Sequence, residues 1–97
     1  MSTGVRRSLR FPPDEGAVAW LDPSVHEDKR NFKPMIAALV TDEALKGCGL
    51  VTLVHDWLRE GVECMVQVGE LAPLRAQIRW VKDLNDNVLK IGVVFLE

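Results

Sequence analysis

The chain has 97 residues, of which 47% are hydrophobic and 27% charged, and a formal net charge of −2. One domain is the ceiling at this length, with about 65% of the unfolded surface buried on folding. The composition excludes a disordered polymer, and no apolar run approaches the ~18 residues of a membrane span. The N-terminal decapeptide MSTGVRRSLR carries charge with no apolar stretch behind it, so no signal peptide is expected and the expected location is cytoplasmic.

The charge is unevenly placed. The first ten residues hold Arg6, Arg7 and Arg10 and no acid, whereas the other 87 hold 9 basic and 14 acidic residues. A general DNA or RNA binder spreads positive charge over a face. A few arginines on an acidic body suit a small anionic ligand instead. Cys48 and Cys64 have neither CxxC spacing nor a histidine at ligand spacing, and are expected to be small buried hydrophobes.

In chain order, residues 1–15 are expected to form a flexible arm, extended by Pro12-Pro13. The barrel domain is expected to follow over 16–97. GAVAWLD (16–22) has strand composition, and the mixed-charge stretch 23–33 is expected as a loop. MIAALVT (35–41) is a short apolar run. Gly47 and Gly49 mark a turn where the backbone bends or something approaches closely. GLVTLVH (49–55) is strand-like, and DWLREG (56–61) is expected as one helical turn closed by Gly61. VECMVQVG (62–69) alternates. LRAQIRWVK (74–82) alternates as well, with Leu74, Ala76, Ile78 and Trp80 expected inward against Arg75, Gln77, Arg79 and Val81. LNDN (84–87) is a turn cluster, and VLKIGVVFLE (88–97) is a last strand. About six short strands with turn signals and no long helical period predict an all-β fold, a six-stranded antiparallel β-barrel.

Three features of the sequence align. RRSLR sets Arg6 and Arg10 four apart, with Arg7 as a third charge between them. Thirty-two residues after Arg10, Asp42 opens DEALKG, a D-x-A-x-x-G segment that contains Ala44 and Gly47. Downstream come Leu58-Arg59-Glu60-Gly61, Trp80, and Ile91-Gly92-Val93-Val94-Phe95. From Arg6 to the end of the last strand, this order resembles the PilZ domain family, split-barrel receptors for the bacterial second messenger cyclic di-GMP. The family pattern is RxxxR, then [D/N]xSxxG, then those apolar landmarks. The resemblance implies a ligand site formed by Arg6, Arg7, Arg10, Asp42, Ala44 and Gly47. It further implies that binding orders the arm against the barrel, and that the changed surface acts on a downstream protein.

The residue chemistry agrees with that implication. The arginine fork matches phosphate oxygens and can bond guanine O6 and N7 as a pair. Ionised Asp42 accepts the N–H donors of a guanine edge or orients an arginine. Gly47 lets the backbone come close to a ligand. The plain alternatives are a solvated arginine tail and a turn-capping Asp42. The three tryptophans are expected in core or barrel-mouth packing. Ala44 stands where the family has serine, which removes one hydroxyl, worth about 0.5–1.5 kcal/mol. The alternative function is therefore a PilZ-like adaptor that no longer binds nucleotide and works through protein contacts, for instance in pilus or motility regulation. Ser2, Ser8 and Ser24 have no nucleophile setting, and no P-loop, paired-carboxylate or metal spacing occurs, so neither an enzyme nor a cofactor is expected.

Overall fold

The computed structural model of the chain describes residues 17–97 and the two-residue strand Arg10–Phe11. The strands are β1 (Arg10–Phe11), β2 (Val18–Asp22), β3 (Ile36–Ala44), β4 (Gly47–Leu53), β5 (Glu63–Val68), β6 (Leu74–Asn85) and β7 (Val88–Phe95). β2 to β7 pair antiparallel in the order β3-β2-β5-β6-β7-β4, and a β3–β4 pairing closes the ring into a six-stranded barrel. Closure leaves no open sheet edge around the ring, which removes the main route to edge-to-edge association. β3 uses its first half to pair with β2, and β1 pairs with its last two residues, Glu43 and Ala44.

The barrel interior follows from alternation. Leu21, Leu50, Ile78 and Ile91 each have no solvent exposure and meet at its centre with Ala19, Val66 and Val93. Burying each large aliphatic side chain contributes about 1.5–3 kcal/mol. Cys48 and Cys64 are free and buried. Burial pushes both thiols up to about 12, and Glu43 and Asp42 add to the effect at Cys48, so both stay protonated near neutral pH.

Two local expectations are corrected. The segment 56–61 is not helical. Its backbone bonds run Leu58 N to His55 O, Arg59 N to Trp57 O and Val62 N to Arg59 O, which are turns rather than a helical ladder. Gly61 then donates to Ile78 O, and Ile78 donates to Val62 O, so attachment to β6 wins over helix. The glycines Gly47 and Gly49 lie within β4, and the tight turn is Leu45–Lys46. Of the two readings of these glycines, close approach is the one that applies.

The 23–33 loop is tied down by a buried carboxylate. Asp22 is 1% exposed and accepts from Ser24 N, Lys33 N and the His26 ring, each at 2.9 Å. Burial alone would raise its pKa. The two backbone N–H groups and His26 outweigh burial and hold it below 3.8. A folded pKa below the unfolded one means that this stabilisation is present above about pH 4 and is lost as pH falls through the folded value. Asp22→Asn turns an amide donor towards these N–H groups, and is expected to cost about 2 kcal/mol near neutral pH. Urea denaturation at pH 7 and again near pH 3 measures it, and the variant's deficit should shrink at the lower pH.

Among the described residues, no helix is long and apolar enough to cross a membrane, and no group of three or more His, Cys, Asp or Glu side chains has metal-holding geometry.

Candidate functional site

Two β-bulges shape one outer face of the barrel. In the β3–β4 ladder Val40 pairs with Leu50 and Asp42 with Gly49, so Thr41 is the extra residue. Val40 and Leu50 point into the core, and the bulge turns both Thr41 and Asp42 outward. Asp42 Oδ1 then accepts the Gly49 N–H at 3.0 Å. The carboxylate satisfies a backbone donor that the interrupted ladder leaves to it.

The second bulge lies in β6. Ile78 pairs with Val93 and Trp80 with Gly92, so Arg79 is the extra residue. Ile78 points inward, Arg79 and Trp80 both point outward, and Val81 returns to pack against the core. The expectation that Trp80 points inward as core or barrel-mouth packing is therefore corrected. Its indole is 44% exposed and lies across Gly92, where any Cβ would run into the Trp80 ring. A glycine opposite an aromatic in a strand marks this kind of close approach. Trp20 is also on the outside of the barrel, while Trp57 packs against the core.

These bulges face one another across β4 and β7. Asp42, Ala44 and Gly47 line one side of a groove of about 310 Å³, and Arg79, Trp80 and Gly92 line the other. Lys46 adds a second cation to Arg79 in the lining of the same groove, which also holds the carboxylate of Asp42. Three of the six site residues named from the sequence, Asp42, Ala44 and Gly47, thus come together. Arg10 enters through its backbone, which pairs opposite Ala44 at the edge of the groove. Arg6 and Arg7 lie outside the described residues, as do the other positions of the arm apart from Phe11.

Lys46, Arg79 and Trp80 are groove residues that the sequence reading did not name as site residues. For the bulge no signal was available in the sequence alone, because Trp80 and Val81 are both apolar and only the register opposite Gly92 shows which of them faces inward.

The groove combines two cations, one carboxylate, an exposed aromatic face and three close-approach glycines, Gly47, Gly49 and Gly92. Such a set can hold a planar, hydrogen-bonding anion. Its volume lies at the low end of small-molecule sites, about 300–1,000 Å³, so a ligand of nucleotide size needs a further wall. Comparison with protein-family models, with characterised proteins and with solved structures finds no match to the chain.

Proposed function

We propose that the chain is a non-catalytic receptor for cyclic di-GMP, which binds in the outer groove and is clamped there by the arginines of the arm. The observation that carries this reading is the pair of facing bulges. They turn Asp42 on one side and Arg79 with Trp80 on the other towards a common groove, at whose edge the Arg10 backbone pairs with Ala44.

Each group has a task on this reading. Arg6 and Arg10 form two-point contacts with phosphate oxygens or with guanine O6 and N7, and Arg7 adds charge. Asp42 accepts from a guanine edge while Gly49 keeps its carboxylate in register. Trp80 offers a base a stacking face, and Arg79 and Lys46 offset the ligand's two negative charges. Gly47 lets the ligand approach the main chain. With ligand bound, Arg6 and Arg10 gain fixed partners, and the altered arm surface is what a downstream protein reads. Base stacking on an aromatic is worth about 1–3 kcal/mol. Trp80→Ala is therefore expected to weaken cyclic di-GMP binding by about 5- to 150-fold, measured by calorimetry, with little loss of melting temperature because the ring lies outside the core.

The exposed Ala44 favours a second reading, an adaptor that has lost nucleotide binding. Ala44→Ser separates the two. On the receptor reading wild type already binds, and the hydroxyl improves affinity by no more than about tenfold. On the adaptor reading wild type gives no binding heat.

A further inference from the structure

Successive residues of a strand face opposite sides, and residues directly opposite in neighbouring strands share a side. Ala19, Ala38, Leu50, Thr52 and Leu89 are buried. Their strand neighbours Val18, Trp20, Ala37, Leu39, Val51, Leu53 and Val88 therefore face outward, towards the other end of β3, β4 and β7 from the ligand groove. The ladder sets Val18, Leu39 and Val51 in one row, Trp20 opposite Ala37, and Leu53 opposite Val88. Leu39 is 56% exposed and Leu53 63%. Both line a recess of about 330 Å³ whose described lining is apolar apart from Thr52. The Thr52 hydroxyl donates to Ala37 O at 3.2 Å, so it asks for no outside partner. Polar residues bound the area, with Gln67 opposite Trp20 in β5 and Lys90 opposite Val51 in β7. An apolar centre within a polar rim is the anatomy of a protein interface.

We propose that this face binds a second copy of the chain in a two-fold dimer, sheet packed on sheet. The area suits self-association of moderate strength. The outward apolar side chains expose on the order of 500 Å², which two copies double to roughly the 1,000 Å² at which a specific interface begins. Charge suits this occupant as well. A second copy brings the same net charge of −2, and a centre of apolar side chains lets the two meet with no like charges opposed. A two-fold contact also requires one patch to carry both projections and a recess. Here Leu39 and Leu53 project beside a recess at Ala37, the small residue of the patch. The ring of β2 to β7 is closed, so two barrels meet through a face rather than by adding strand to strand. This inference is independent of the cyclic di-GMP reading.

Sedimentation equilibrium of the full chain over about a hundredfold range of concentration tests it, because a dimer forms by mass action. The wild type should pass from the monomer mass of 10.9 kDa to twice that value in the micromolar range. Leu39→Glu and Leu53→Glu should each weaken the dimer at least about a hundredfold, because two-fold symmetry buries each new charge twice. Both should keep the wild-type circular dichroism, since the replaced side chains lie outside the core. Leu45→Glu, at an exposed leucine beyond the far end of β3, should leave the dimer intact. An equal mixture of Leu53→Glu and Leu53→Lys should recover the association that neither shows alone. A wild type that stays monomeric throughout overturns the proposal and leaves the face to another occupant. A dimer that survives both Leu39→Glu and Leu53→Glu, or that Leu45→Glu dissociates equally, overturns this face as its seat. A mixture that fails to associate overturns the two-fold arrangement. All of these readings are made without nucleotide, so failure of the dimer and failure of the receptor reading are distinguishable.

Discussion

The double substitution Arg6→Ala/Arg10→Ala is expected to abolish measurable cyclic di-GMP binding while the barrel melts as in the wild type. Each arginine that makes a two-point contact with phosphate or guanine contributes about 1–3 kcal/mol. Together they amount to a loss of roughly 30-fold to 10⁴-fold, since about 1.4 kcal/mol is a factor of ten. Stability should hold because both positions precede the closed ring of β2 to β7, and alanine at position 10 keeps its backbone pairing opposite Ala44. Arg10→Lys is informative as well. Lysine keeps the charge but loses the planar fork, so it should restore little. Calorimetric titration of the two variants measures this, and a double variant that binds like wild type contradicts the clamp.

Gly47→Ala should damage both fold and site. Gly47 pairs with Ala44 on one side and with Val94 on the other. A Cβ placed there would run into the Val93 carbonyl oxygen and come within 3.3 Å of Val93 C and Val94 Cα. All of these are main-chain atoms of β7, so no side-chain rotation relieves the clash. The ladder between β4 and β7 has to part instead. Overpacking costs about 1–3 kcal/mol, and the rigid neighbour puts this case at the upper end. The melting temperature should fall by about 10 °C or more, and nucleotide binding should fall with it because Gly47 also lines the groove. Gly61→Ala is the contrasting control. Nothing lies within 4 Å of a Cβ there, and the cost arises only from its positive φ of 93°.

The strand inventory was legible because most strands have one face on a solid core and one in solvent, so alternation carries their boundaries. β6 shows where that logic stops. From Leu74 to Ile78 the alternation holds, and one extra residue at Arg79 then reverses it, so Trp80 faces outward and Val81 faces in. An apolar tryptophan next to an apolar valine gives no direction by itself. Only the glycine opposite, Gly92, distinguishes the arrangements, and it becomes readable once the register is known. At Thr41–Asp42 a bulge likewise sets two consecutive residues outward, and there the sequence already singled out Asp42 through its spacing from the arginines. The hexapeptide 56–61 was misread for a different reason. Its local composition suits a helical turn, but Leu58 is buried under the barrel and Gly61 is bonded to Ile78, so tertiary contacts decide its shape.

The buried Asp22 was also invisible beforehand. An aspartate closing a strand before Pro23 reads as an ordinary turn residue. Its three hydrogen bonds depend on the loop returning eleven residues later to present Lys33 N. By contrast, the order of Asp42, Ala44 and Gly47 in one short segment was enough to place them together, because the hairpin of β3 and β4 sets Ala44 directly opposite Gly47.

The central claim is that the groove and the arm together hold one cyclic dinucleotide dianion. Calorimetric titration of the purified chain with cyclic di-GMP, with GTP and cyclic AMP as controls, tests it most directly. The account predicts saturable binding in the micromolar range or tighter, selective over both controls, and accompanied by a rise in melting temperature. No heat and no thermal shift at high ligand excess would contradict it and leave the groove without its proposed ligand.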